Sequence, residues 1–301
     1  MTIQKLGSRI FLNRYDYDLQ LLIFIFKEDG ITLEIVHFSK FNPSGNMTVL
    51  VDSQHDPADY ARIAQQLMQT SHVGCEQVGF IVDDEGDIPH QLVMSGQEFC
   101  GNGTLSFIRY LKDRKLLSGS SFHLQVSGLD EPVACAVDEA RNQYETTLPK
   151  PHHIEEKHYT IDDVLFEGLE IQYDTYQHFV CPITVWSDKL ATSVEAFVRA
   201  QPWPEHLTAV GMMLYDTLHQ RLYPLIYVPQ VDSMIWEQSC GSGTGSVGIY
   251  EVYRHQLDHV EKEIAQPGGA LSVIADRTET GYSIAIKGQV STVATGMAYI
   301  E

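Results

Sequence analysis

The sequence lacks a hydrophobic run long enough to cross a membrane as a helix. Its most apolar stretch is Leu19–Phe26, whereas a spanning helix needs about 20 consecutive apolar residues. The stretch follows acidic and polar residues, and no small-residue cleavage site comes after it, so it makes a poor signal peptide. We therefore expect a soluble protein without a membrane partner.

Basic charge is also scarce. The chain has 20 Lys and Arg against 40 Asp and Glu, which gives a formal net charge of -20 at pH 7. Such an acidic protein is poorly suited to bind nucleic acids or anionic membrane surfaces, so we expect neither as a partner. The length of 301 residues suits two medium domains or one large domain.

Closely spaced cysteine pairs are absent. The five cysteines are Cys75, Cys100, Cys135, Cys181 and Cys240. Their number is odd and no two have C-x-x-C spacing, which disfavours a disulfide framework, a zinc ribbon and a thioredoxin-like site. Reduced thiols fit best, and we predict a cytoplasmic protein. We interpret Cys75, Cys135 and Cys181 as structural thiols.

The HExxH metal-binding motif is absent as well. His255 and His259 have H-x-x-x-H spacing, with Glu251 one helical turn earlier. On one helix these side chains would share a face, which is a geometry that binds metal ions. The surrounding segment mixes charges of both signs, which favours a solvated helix face. We predict no metal site.

The hydrophobic pattern predicts an α+β protein with more strands than helices. Leu33–Phe38 and Met47–Val51 are typical of strands, and Asp56 followed by Pro57 is typical of a helix start. Three strand-like runs, separated by glycines, occur between residues 270 and 300. Near the middle, the proline-rich run at 148–153, with charges to Lys157, indicates an exposed connector between two halves.

An internal repeat is the most informative feature. Cys100–Ser106 and Cys240–Ser246 both have the pattern C-G-x-G-T-x-S, with one copy in each half. A helical pattern follows each copy, at Phe107–Leu111 and at Val247–Glu251. Repeats of this kind indicate duplicated architecture. Here each copy carries a cysteine just before a glycine-rich helix start.

This placement predicts a chemistry. Free N–H groups at a helix N-terminus stabilise negative charge, so we expect each cysteine to have a lowered pKa. The glycines allow backbone amides to approach a substrate carboxylate. Two such thiols facing each other across a cleft would remove a proton from one face of a carbon and deliver one to the other face. That reaction inverts a stereocentre.

Two alternative interpretations explain less of the pattern. Both cysteines would be buried structural thiols at tight turns, as free cysteines often are, but this leaves the repeat and its glycines unexplained. Gly243–Gly248 also fits the dinucleotide motif G-x-G-x-x-G. Trp236–Ser239 precedes it instead of a buried strand, and no βαβ unit surrounds it, so we discount nucleotide binding.

At these residues the chain resembles the diaminopimelate epimerase and proline racemase superfamily. The resemblance extends over Val36–Glu301 and includes a Gly-Asn turn at Gly45–Asn46, Gln77, and closing segments at Gln266–Gly269 and Gly288–Gly296. It implies two pseudo-symmetric lobes, each a curled β-sheet or barrel around a central helix, with the active site between them. It also implies Cys100 and Cys240 as catalytic residues without pyridoxal phosphate or another cofactor, and a homodimer.

The same resemblance predicts the domain boundaries. The first lobe would span residues 34–147 and the second lobe residues 148–287. The last strand, at about 288–301, would return to the first lobe. Residues 1–33 precede the start of the family, and we expect them to form an extension outside the core.

A narrower resemblance is to the histidine racemases that supply D-histidine for opine metallophores such as staphylopine. The segments that carry it are Phe38–Thr48, His72–Phe80, Met94–Asn102, Gly211–Leu214 and Ile235–Thr244. The asparagines and the Glu-Arg pair with which diaminopimelate epimerases hold a second amino-acid head are missing. Apolar or aromatic residues stand there instead, around Val93, Tyr176 and Gly211, which suits a smaller aromatic substrate. The choice of histidine rests on the resemblance.

The resemblance also predicts which residues bind the substrate. Gly101, Asn102, Gly241 and Ser242 would hold the carboxylate at the two helix starts. Asn46, Glu76 and Gln77 would lie on turns that face the cleft. Glu76 either accepts a substrate N–H group or is an exposed capping acid. For Glu237 we favour a structural role.

Two other functions remain open at this point. The first is diaminopimelate epimerase or another amino-acid racemase on the same scaffold. The second is a non-catalytic amino-acid-binding protein, against which the two intact cysteine turns argue.

Overall fold

The structure is a computed structural model that describes residues 34–83 and 90–301. The predicted N-terminal extension, residues 1–33, and the apolar stretch within it lie outside the described residues. In the described part the chain is α+β, with many strands and few helices, as predicted. None of its helices combines the length and the hydropathy of a membrane span.

The first lobe consists of two helices and seven strands, and its strands belong to one sheet that continues into the second lobe. Its strands are β1 (Glu34–Pro43), β2 (Thr48–Val51), β3 (Gln77–Asp83), β4 (His90–Met94), β5 (Ser121–Leu124), β6 (Val133–Asp138) and β7 (Gln143–Thr147), and its helices are α1 (Tyr60–Met68) and α2 (Gly101–Asp113). Helix α1 joins the parallel strands β2 and β3. As predicted, Asp56 caps the turn before α1, where its side chain accepts a hydrogen bond from the Ala58 N–H.

The second lobe repeats this order. Its strands are β8 (His153–Ile161), β9 (Val164–Gln172), β10 (Tyr176–Ile183), β11 (Ala209–Asp216), β12 (Arg221–Val228), β13 (Ser233–Trp236), β14 (His259–Gln266), β15 (Gly269–Thr278) and β16 (Gly281–Ile300), and its helices are α3 (Asp188–Ala200) and α4 (Gly241–His255). Helix α3 joins the parallel strands β10 and β11, as α1 joins β2 and β3. A cysteine-capped helix then follows strand β4 in the first lobe and strands β12 and β13 in the second.

The last strand is longer than the sequence pattern indicates. The two runs at residues 282–286 and 290–300 form one continuous strand of 20 residues, β16. Its first half pairs with β15 and β7, and its second half pairs with β1. Strand β16 therefore joins the sheet of the second lobe to that of the first.

The two cysteine-capped helices form the centre of the molecule. Ten of the 13 residues of α2 and 11 of the 15 residues of α4 are buried. A Cβ atom added to Gly101 would lie 3.7 Å from the Cα of Gly241, and at either glycine it would lie within 2.9 Å of Ile286 Cδ1. A side chain at either position would displace Ile286, which packs over both helix starts.

The connector between the halves is shorter than expected. Leu148 is 8% exposed, and its side chain packs against Gly101 and Gly245 of the central helices. His153 already begins β8, so the charged residues to Lys157 lie on a strand. The apolar side chain of Leu148 contributes to the core between the helices.

The predicted helix face with His255 and His259 is wrong. Helix α4 ends at His255, because Gln256 takes a left-handed conformation with φ 52°. His259 begins β14 and pairs with Asp276, whereas His255 pairs with Glu251. No group of three or more metal-binding side chains occurs in residues 34–83 and 90–301.

Two valines of β16 provide a test of how this strand packs. Val290 is fully buried and Val293 is 51% exposed. We expect Val290→Ala to lower the free energy of unfolding by about 2 kcal/mol more than Val293→Ala, because it removes two buried methyl groups. Urea denaturation measures both variants. Equal losses would contradict the packing of β16 against the core.

Candidate active site

The two cysteines of the repeat occupy the same local structure. Each is the N-cap of its helix, with φ −132° and ψ 113° at Cys100 and φ −123° and ψ 112° at Cys240. The sulfur accepts a hydrogen bond from the second glycine of the motif, at 3.2 Å from Gly103 N and 3.3 Å from Gly243 N. The motif threonine donates its hydroxyl to the carbonyl group of the cysteine in both copies. The repeated sequence therefore encodes one cysteine-capped turn that is used twice.

Two asparagines of the first lobe bind the residue that precedes Cys240. The side-chain amides of Asn46 and Asn102 both donate to the carbonyl oxygen of Ser239, at 2.8 and 2.9 Å. All three residues are at most 2% exposed. The Oδ1 atoms of both asparagines and the Oγ atom of Ser239 are buried without a hydrogen-bond partner in the described residues. Buried polar atoms are costly to leave unpaired, so a polar ligand is expected beside them.

The other predicted residues lie at different depths. The Cys100 thiol donates to Oε1 of Gln77 at 2.5 Å, and the hydroxyl of Ser242 lies 3.5 Å from the Cys240 sulfur. Glu76 is exposed and its backbone N–H bonds to the Met47 carbonyl. The structure thus brings Gln77 and Ser242 to the thiols and leaves Glu76 at the rim.

The prediction of lowered cysteine pKa values is wrong. Burial raises the pKa of Cys100 to about 12 and that of Cys240 well above its usual value. The amides of the motif glycines lower both pKa values, but they offset only part of the desolvation. Negative charge on Glu98 raises the pKa of Cys100 further, and negative charge on Glu237 raises the pKa of both cysteines. Both thiols are therefore protonated near pH 7.

Sequence reasoning assigned Glu237 a structural role, but its negative charge raises the pKa of both cysteine thiols. Burial raises the pKa of the Glu237 carboxyl group to about 7. The first copy of the motif has Gln97 at the equivalent distance before its cysteine. Because the two copies differ at this position, the repeat gave no indication that the carboxyl group belongs to the site.

Gln266 was not predicted as a site residue either. Its Oε1 accepts the Cys240 N–H at 2.7 Å, and its Nε2 donates to the Thr244 hydroxyl at 3.0 Å. Gln266 therefore fixes the backbone of the second cysteine turn from strand β14. Its place at the start of the Gln-Pro-Gly-Gly segment was the available sequence signal.

Known proteins share this chain's sequence along most of its length. The family model described as the histidine racemase CntK N-terminal domain matches residues 35–299. The chain belongs to the histidine racemase family. A histidine racemase of Staphylococcus aureus is 46% identical over 272 residues, covering 89% of this chain and 99% of the relative. One from Fusobacterium nucleatum is 30% identical, covering 89% of this chain and 98% of the relative.

Solved structures of known proteins share the fold. A PhzF-family phenazine biosynthesis protein of Bacillus anthracis has a TM-score of 0.64 at 16% identity, covering 90% of this chain and 100% of that protein. A hydroxyproline epimerase of Agrobacterium vitis has a TM-score of 0.58 at 8% identity, covering 88% and 93%. The fold is therefore the predicted epimerase-like arrangement of curled sheets around central helices.

The Glu237→Gln variant tests the electrostatics of this histidine racemase site. Loss of the carboxylate charge should lower the pKa of both thiols, so that Cys100 and Cys240 react with iodoacetamide at lower pH. The effect should be larger above the Glu237 pKa of about 7 than below it. Peptide mass spectrometry measures the alkylation of each cysteine against pH.

The matched control is Glu279→Gln, which removes the same charge at an exposed turn. It should leave both alkylation profiles unchanged. Superimposable profiles for Glu237→Gln and the unmodified protein would show that this carboxylate does not act on the thiols.

Proposed function

We propose that this chain is a cofactor-independent racemase that interconverts L- and D-histidine with Cys100 and Cys240 as a paired acid and base. The observation that carries the proposal is the meeting of two cysteine-capped helix starts at Gly101 and Gly241. Membership of the histidine racemase family supports the substrate.

The substrate's charged groups match the unpaired polar atoms of the site. The amides after each cysteine, at Gly101 and Asn102 and at Gly241 and Ser242, would hold the carboxylate at the two positive helix ends. The Oδ1 atoms of Asn46 and Asn102 are buried acceptors without partners, which suits the substrate ammonium group. The ammonium charge would also lower the pKa of the nearby thiols.

Proton transfer then proceeds between the two sulfurs and the Cα atom. The thiolate of one cysteine takes the Cα proton, and the electron pair of the C–H bond moves into the carboxylate. The amides at the helix starts stabilise the charge that develops there. The thiol of the other cysteine delivers its proton to the opposite face of Cα. The product is the mirror image, and the two cysteines have exchanged one proton.

This cycle needs one proton shared by the two thiols, so their titrations are coupled. Both pKa values are raised, and one thiol must lose its proton before it can act as the base. Glu237, with a pKa of about 7, interacts with the Cys240 thiol and is the neighbouring group suited to accept that proton.

The wider role follows from the same family resemblance. We propose that D-histidine from this reaction supplies the synthesis of an opine metallophore of the staphylopine type. We also propose a cytoplasmic homodimer. The free thiols of all five cysteines are consistent with a reducing compartment.

Replacement of either cysteine tests the mechanism. We expect Cys100→Ser and Cys240→Ser each to lower the rate of racemisation by about a hundredfold or more, because serine is a far weaker acid at these positions. Proton NMR of L-histidine in deuterated buffer measures exchange of the α-proton, and chiral chromatography measures D-histidine.

Cys135→Ser is the matched control. Its sulfur lies near a carbonyl group and the Thr146 hydroxyl, so that serine keeps polar partners, and activity should be unchanged. Full activity of either site variant would exclude the two-thiol mechanism. Exchange of the α-proton of diaminopimelate, but not that of histidine, would identify diaminopimelate as the substrate. Binding of histidine without exchange of its α-proton would indicate a binding protein.

A further inference from the structure

The peptide group between Ser239 and Cys240 is held on both of its edges. Its carbonyl oxygen, on Ser239, accepts hydrogen bonds from the side-chain amides of Asn46 and Asn102. Its N–H group, on Cys240, donates to Oε1 of Gln266 at 2.7 Å. The two asparagines belong to the first lobe and Gln266 belongs to the second. The peptide group that carries Cys240 is therefore fixed from both lobes.

Gln266 also completes a closed ring of hydrogen bonds around the Cys240 backbone. Its Nε2 atom donates to the Thr244 hydroxyl at 3.0 Å, and that hydroxyl donates to the Cys240 carbonyl oxygen at 2.7 Å. Because Thr244 uses its one hydroxyl proton on the carbonyl group, it can only accept from Gln266. The amide of Gln266 therefore has one direction, with its oxygen towards the Cys240 N–H group.

The strand end that carries Gln266 is itself anchored. Gln266 is the last residue of β14 and is 2% exposed. Two residues later, Gly268 donates its N–H group to the Gln238 carbonyl oxygen at 2.8 Å. A Cβ atom added to Gly268 would lie 2.8 Å from the Cα of Gly45, so the turn after β14 packs directly on the first lobe. These contacts hold the backbone from which the Gln266 side chain extends.

A glutamine beside the other cysteine makes a different contact. Thr104 donates its hydroxyl to the Cys100 carbonyl oxygen at 2.8 Å, as the threonine of the second motif does. Gln77, however, accepts a hydrogen bond from the Cys100 thiol itself. Cys100 is half-buried, whereas Cys240 is 4% exposed. Gln77 thus acts on a sulfur atom, and Gln266 acts on a cysteine backbone.

We propose that Gln266 is a positioning residue that sets the direction of the Cys240 thiol by holding the Ser239–Cys240 peptide group against the two asparagines of the first lobe. Rotation of this peptide group would turn the thiol away from the reacting carbon, and a displacement of about 1 Å can lower a rate by about a hundredfold. Both polar atoms of the Gln266 side chain already have partners in the cysteine turn. Gln266 therefore acts through Cys240, and we expect it to affect kcat more than KM. The inference rests on the proposed racemase function.

Gln266→Met tests this role, because it removes both hydrogen bonds at a similar side-chain volume. In α-proton exchange over a range of L-histidine concentrations, kcat should fall about tenfold or more and KM should stay within about threefold. Alkylation by iodoacetamide, followed for each cysteine by peptide mass spectrometry, gives a second readout that does not need activity. It should become about fivefold faster at Cys240, whose turn is released, and stay within about twofold at Cys100.

Gln266→Glu gives a pH readout that a merely structural role would not change. Burial raises the pKa of a carboxyl group, and the neutral form offers the same acceptor and donor as the amide. The carboxylate that forms at higher pH cannot donate to the Thr244 hydroxyl, and its charge disfavours a thiolate at Cys240. The kcat of this variant, relative to the unmodified protein, should be near one at about pH 6 and about tenfold lower at about pH 9.

Gln201→Met is the matched control, because Gln201 is half-buried and donates to the Phe197 carbonyl oxygen at the end of α3. Its kcat, KM and alkylation rates should stay near the unmodified values. An unchanged kcat in Gln266→Met, or an equal change in alkylation at both cysteines, would overturn the inference and leave the racemase function standing.

A different outcome would separate the two proposals in the other direction. If the unmodified protein does not exchange histidine, the proposed function is wrong, and the alkylation rates alone decide whether Gln266 positions Cys240. Faster alkylation at Cys240 only would then support the positioning role, and an unchanged rate would overturn it. Should Gln266→Met fail to fold, a relative kcat of Gln266→Glu that does not vary with pH overturns the inference.

Discussion

The close approach of two helix N-termini is the constraint on which the rest of this structure depends. Gly101 and Gly241 let α2 and α4 meet without side chains between them, and Ile286 of β16 packs over both. Both helices must then be buried at their starts, which places the capping cysteines inside the molecule. The curled sheets, the shared strand and the buried connector residue Leu148 all serve to enclose this contact.

Burial and helix ends act on the thiols in opposite directions. The motif amides favour a thiolate, as expected for a helix N-cap, but loss of water disfavours it by more. Both cysteines are therefore acids that hold their protons near pH 7. Unpaired Oδ1 atoms on Asn46 and Asn102 add negative potential at the same place. A zwitterionic amino acid would suit both features, with its carboxylate at the amides and its ammonium group at the acceptors, as we propose.

The sequence predicted the parts that obey the repeat and missed those that break it. The two motifs led directly to Cys100 and Cys240, because identical spacing encodes identical turns. Glu237 stands where the first copy of the repeat has Gln97, so the repeat itself did not point to this carboxyl group. Gln266 acts from strand β14, outside the repeated motif, and its signal was the Gln-Pro-Gly-Gly segment. The continuity of β16 was hidden by Gly288, which looks like a turn residue but lies buried against Leu271 within the strand.

Those breaks in the repeat have a chemical rationale. A racemase must treat both faces of Cα alike, so the two sulfurs need the same local structure. The carboxylate, the ammonium group and the side chain of the substrate stay in place while the proton changes sides. The residues that bind these groups therefore need not be the same in the two lobes. A duplicated fold meets both demands when its cysteine turns stay identical and the residues beside them diverge. Gln97 and Glu237, each three residues before its cysteine, are a divergence of that kind, and each lies beside a turn that has not changed.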